Sequence, residues 1–169
     1  AEDYIAAKGK AAPAPTALPK RLATPAEIAP SLRGAVAVAK GEGRFDRMIS
    51  DFRTSPSIVA FLSSPRLEVL AKTGVSTPDL SIRIKTGPMV LPAPDAETIG
   101  DYPAVIRAKV GQFAAAYEAY FNANDARDDI KRTMLDPMPR LSLIPGVGMF
   151  GHGRTLKDAR IASDVGEMW

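Results

Sequence analysis

"LSLIPGVGMFGHGRTLKDARIASD", residues 141–164, is the stretch on which the reading of this chain turns. An apolar run at 140–144 leads into Gly146, Gly148 and Gly151, spaced G-x-G-x-x-G, and a helix-like segment follows. A loop of that spacing can cradle a dinucleotide pyrophosphate, provided the glycines lead directly into a helix whose free N–H groups face the phosphates. Here the helix signal starts only at Thr155, which forms a T-x-x-D capping box with Asp158. Pro145 interrupts the passage from strand to turn. Met149 and Phe150, between the glycines, suit a pleated surface better than a phosphate cradle. The acidic residue expected some twenty positions on, at the end of a second strand, is missing, because Asp164 falls within the helix. The stretch therefore predicts strand 140–144, a tight glycine turn, strand 148–150, another turn and a capped helix burying Ile161, Val165 and Met168. A nucleotide-binding oxidoreductase fragment using Gly146, Gly148 and Gly151 is the alternative.

Upstream, Ile106, Val110, Phe113, Tyr117, Tyr120 and Phe121 recur at spacings of three and four and predict a helix over about 102–123, with an apolar stripe in the core. Asp101 can cap it, and Pro103 falls in its first turn. Ser55-Pro56 and Thr77-Pro78 each supply a cap and a first-turn proline for shorter helices, and Gly74 suits a helix C-terminus. Residues 44–52 and "PMVLP" read as strands. The Ala/Pro-rich stretch at 10–31 reads as an extended linker, since repeated proline denies the backbone helical hydrogen bonds. Residues 1–9 read as the tail helix of a preceding domain, and 32–169 as one mixed α/β domain, a mixed sheet flanked by helices.

The 169 residues suffice for one compact domain, and 46% apolar with 24% charged residues is ordinary for a globular protein. The +3 formal charge is small and its cations are scattered, which argues against nucleic acid and membrane surfaces as partners. The absence of cysteine removes disulfides, thiolate metal sites and thiol nucleophiles, and fits a reducing, cytoplasmic setting. His152 is the lone histidine, so a histidine-dominated metal centre cannot be built from this chain by itself.

No constellation amounts to a catalytic signature, and neither a catalytic residue nor a metal ligand is assigned. His152 reads as an exposed turn residue. Tyr4 and Lys8 match Y-x-x-x-K, a common chance spacing. The carboxylates at 95–97 and 128–129 read as solvated loop charge. Thr77, Arg83, Lys85 and Arg154 form a candidate anion site, weighed against the plainer reading that the cations simply face solvent.

"DFRTSPSIVAFLSSP", "TPDLSIRIK" and "PRLSLIPGVGMFGHGRTLKDARIASD" resemble the central region of bifunctional class II aldolase/short-chain dehydrogenases, the rhamnulose-1-phosphate aldolase/alcohol dehydrogenase type. The resemblance implies neighbouring aldolase and dehydrogenase domains in one parent chain, a possible homo-oligomer, and a parent that uses NAD and a divalent metal such as zinc. It implies no cofactor in this segment. In the family, a histidine commonly precedes a glycine in the glycine-rich strand, where this chain has Val147 before Gly148. Relatives often read T-P-D-H where this chain has Leu80. The expectation is a class II aldolase-like lobe lacking the metal site, serving as a packing and assembly module, with a free-standing adaptor as a further alternative.

Overall fold

The computed structural model describes residues 14–127 and 129–168. Tyr4, Lys8 and the tail helix expected at 1–9 lie outside them. The elements run α1 (Pro25–Ala35), β1 (Val38–Gly41), β2 (Arg44–Asp46), β3 (Ile49–Arg53), α2 (Pro56–Leu62), α3 (Leu67–Leu70) and α4 (Pro78–Ile84). There follow β4 (Met89–Val90), a 3-10 turn (Ile99–Asp101), α5 (Tyr102–Asp125), β5 (Leu141–Ile144), β6 (Gly148–Gly153) and α6 (Leu156–Met168). The architecture is the expected mixed α/β arrangement.

One four-stranded sheet, in the order β3-β6-β5-β4, organises the domain. β6 is antiparallel to both neighbours, while β4 and β5 run parallel, so the sheet is mixed. Side chains of successive strand residues point to opposite faces. Ile144 and Phe150 pack with Ile28 and Leu32 of α1 and Ile106 and Val110 of α5 on one face. Leu141, Leu143 and Met149 pack with Leu62, Ile84, Ala162 and Val165 on the other. Helices thus cover both faces, with β1 and β2 set apart as a two-stranded ribbon.

Several expectations change. The stretch read as linker holds the start of α1, whose capping box is complete: Glu27 N–H donates to Thr24 Oγ1 at 3.3 Å, and Thr24 N–H donates to Glu27 Oε2 at 2.7 Å. Pro30 sits inside this helix, where proline costs roughly 3 kcal/mol. Burying Ile28 and Leu32, 1% and 0% exposed, offsets it at about 1.5–3 kcal/mol each. The segment 44–52 is two strands with buried Met48 between them. The stripe on α5 is core only in its first half, since Tyr120 is 53% exposed. The buried face of α6 is Ala159, Ala162, Ser163 and Val165, and Met168 is exposed.

The glycines explain that last change. Only Gly146, at φ +77°, shapes a turn, the one joining β5 to β6. Gly148 opens β6, which runs unbroken through the expected second turn to Gly153. A Cβ on Gly151 would lie 2.4 Å from the Ala159 carbonyl oxygen, and one on Gly153 would lie 2.4 Å from the Ala159 nitrogen. Bare backbone on β6 and small residues on α6 let the helix lie directly against the strand. A bulky apolar stripe there would hold the two apart.

Candidate functional site

Two polar centres meet at the end of the sheet where β6 leaves for α6. The first is His152, fully buried in β6 instead of exposed in a turn. Strand register places Ser50 of β3 directly opposite it, and Ser142 lies diagonally across on β5. Ser50 Oγ is 2.9 Å from Nδ1, and Ser142 Oγ is 2.9 Å from Nε2. A neutral imidazole has one donor and one acceptor nitrogen, and the two hydroxyls match both. Burial, reinforced by the nearby Arg140 charge, pushes its pKa down to about 3. The ring is therefore neutral at physiological pH, with neither a free lone pair for a metal nor a proton ready to exchange.

The second centre gathers around Asp136, in the loop between α5 and β5. Arg140 Nη2 donates to Asp136 Oδ2 at 2.5 Å, and Arg154 Nη2 lies 3.7 Å from the same oxygen. Lys85 Nζ donates to the Asp136 carbonyl at 2.6 Å and sits 4.4 Å from the centre of the Tyr117 ring. Burial lowers the Lys85 pKa to about 8, helped by Arg140 and opposed by Asp136. The Lys85 backbone, at φ 66° and ψ −148°, occupies a region that is nearly glycine-only and costs roughly 1–3 kcal/mol. The lysine is thus an internal tie between the end of α4, α5 and the 136 loop.

Ile82, Arg83, Arg140, His152, Arg154 and Asp158 border an adjoining cleft of about 160 Å³. Of the four residues suggested as an anion site, the fold brings Arg83 and Arg154 together here. Lys85 is turned inward, 1% exposed, and is not part of the wall. Thr77 precedes the far end of α4, about 9 Å along the helix from Arg83 by helical rise, and its side chain makes no capping bond there. Arg140 is the member the sequence reading missed. Its signal would have been its place just before β5, opposite the histidine strand: His152 N–H donates to the Arg140 carbonyl at 2.8 Å.

The metal implied by the family resemblance does not fit these residues. Val147, at the position of the family histidine, packs in the core, and Leu80 packs against the opposite apolar cluster. The one imidazole is committed to two serines. Among the described residues, no three His, Cys, Asp or Glu side chains are grouped to hold a metal ion. The nucleotide fingerprint meets a geometric obstacle too, because Gly148 and Gly151 lie within a strand and Gly151 faces the helix packed on it.

Residues 23–169 match the profile described as "Aldolase class II, second domain". The chain belongs to this class II aldolase second-domain family. It is 27% identical over 144 residues to the "Uncharacterized oxidoreductase YuxG" of Bacillus subtilis (strain 168), a match covering 85% of this chain and 20% of that protein. The chain thus spans about a fifth of the length of the curated relative it matches. No solved structure matches it. Among the described residues, no helix of this aldolase-type domain is long and apolar enough to cross a membrane.

Proposed function

We propose that this domain is the central part of a bifunctional class II aldolase/short-chain dehydrogenase of the rhamnulose-1-phosphate aldolase/alcohol dehydrogenase type. The parent, a cytoplasmic enzyme of sugar metabolism, cleaves a phosphorylated deoxy-ketose by retro-aldol chemistry and oxidises the aldehyde product with NAD. A divalent metal serves its aldolase half. The domain itself packs the two catalytic domains against each other and supports their assembly. The observation that carries this reading is the commitment of its histidine, its glycine-rich segment and its buried lysine to its own fold. The imidazole is held by Ser50 and Ser142, the glycines seat α6, and Lys85 ties α4 to the 136 loop. An aldolase-type domain matching a fifth of a relative named as an oxidoreductase supports the two-activity parent.

The test is expression of the whole reading frame that contains this segment. Retro-aldol cleavage and NAD reduction are assayed separately, together with sedimentation. Both activities in one assembly are expected, and both should fall when Gly151→Ala loosens this domain. A reading frame confined to these residues, or a product with neither activity, would refute the proposal.

A further inference from the structure

The cleft between α4 and the start of α6 holds more positive charge than its surroundings consume. The Arg83 guanidinium forms no hydrogen bond and no ion pair within 4 Å among the described residues; the Asp158 carboxyl, held below the usual range mainly by its bonds to Thr155, is lowered a little further by the Arg83 charge. Arg140 has five N–H donors. Its partners are one carboxylate oxygen of Asp136 and the thioether of Met48, at 3.2 Å a weak acceptor. Arg154 reaches Asp136 only at 3.7 Å and is 55% exposed along its side chain. Against these three guanidiniums stand two carboxylates. Asp158 Oδ2 accepts from the Thr155 hydroxyl at 2.7 Å, and Asp136 Oδ2 is shared by two arginines while its Oδ1 is buried without a hydrogen-bond partner and Lys85 adds charge behind it. Buried polar groups normally find partners, and a half-satisfied guanidinium on a cleft wall calls for an acceptor from outside.

We propose that this cleft binds a phosphomonoester through Arg83, Arg140 and Arg154. The space of about 160 Å³ falls below the roughly 300–1,000 Å³ of drug-sized ligand pockets, which suits a small anionic group and not a dinucleotide. Three arginines lining one cleft favour a dianionic, multidentate oxyanion over a carboxylate. Ile82, 63% exposed at the rim, gives the ester carbon an apolar neighbour that inorganic phosphate would not use. The proposal is independent of the parent enzyme's two activities, because it concerns only groups within this domain.

The experiment is titration of the 169-residue chain at constant ionic strength with glycerol 3-phosphate, inorganic phosphate and glycolate, followed by amide chemical shifts. Saturable binding is expected in the order phosphomonoester, phosphate, carboxylate, with shifts centred on Arg83, Gly153 and Arg154. Arg83→Ala and Arg154→Ala, both at exposed positions where folding is not at risk, should each weaken binding by about tenfold. Lys109→Ala, a cation removed from the groove beside α5, should leave it unchanged. Linear, non-saturating shifts, or equal weakening by Lys109→Ala, overturn the proposal. Saturable binding of glycolate as tight as that of the phosphates overturns the choice of ligand.

Discussion

Gly151→Ala probes what the glycine-rich segment is for. The new methyl carbon would lie 2.4 Å from the Ala159 carbonyl oxygen, 2.4 Å from Ser163 Oγ and 2.7 Å from Ser163 N. Two of these are helix backbone, which cannot rotate away, so α6 must lift by about 1 Å to restore ordinary contact distances. Overpacking of this kind costs roughly 1–3 kcal/mol. Lifting also strains the bond from Ser163 Oγ to the Asp51 carbonyl, worth about 1 kcal/mol. The lower entropy of an unfolded alanine returns about 0.4–1 kcal/mol. The net loss is about 1–3.5 kcal/mol. In urea unfolding it should appear as a lower midpoint at unchanged slope, and on heating as a Tm lower by about 2–14 °C. Gly111→Ala, on the open face of α5 with nothing near its Cβ, should instead stabilise by up to about 1 kcal/mol. If Gly151→Ala unfolds at the wild-type midpoint, the glycine does not seat the helix and the packing account fails.

Three further predictions follow from the polar groups. His152 titrates near 3 when folded and near 6.5 when unfolded, so below pH 6.5 the unfolded chain binds the extra proton and stability falls as pH drops toward 3. The loss is on the order of 4 kcal/mol, and in His152→Gln, which keeps partners for both serines, this pH-dependent part should vanish from urea midpoints measured across that window. Lys85 behaves in the same sense at the other end: with a folded pKa of about 8 against 10.5, stability should rise between those values as the buried cation is discharged, and Lys85→Met should flatten the rise. Arg53 pairs with Asp51 of its own strand at 2.9 Å and links β3 to α6 through Asp164 at 2.9 Å and Glu167 at 3.3 Å. Because these groups are partly exposed, Arg53→Ala should cost only about 0.5–1 kcal/mol, and molar salt should erase most of the difference in midpoint.

The elements that sequence reveals best are those whose own residues repeat a period or carry a cap. α5, β5 and the Thr155–Asp158 box are of this kind, and the box forms as expected, with Asp158 N–H donating to Thr155 Oγ1 at 3.1 Å. α1 was hidden because Pro30 and its alanines suggest an extended chain, whereas burial against α5 decides the matter. The buried face of α6 was hidden because it consists of small residues opposite glycines, a match visible only once strand and helix are stacked. His152 was misread for the same reason. Flanking glycines suggest a turn, but its burial depends on Ser50, 102 residues away in sequence. The candidate site was half legible. Arg83 and Arg154 could be picked out as cations near helix ends, whereas the inward turn of Lys85 depends on Asp136 and Tyr117, which no local pattern connects to it.

Calorimetric titration of this chain with zinc, and separately with NAD, bears most directly on the claim that its imidazole and glycines serve the fold. Flat heats are expected from both. One-to-one zinc binding lost in His152→Gln, or saturable NAD binding at unit stoichiometry, would contradict it.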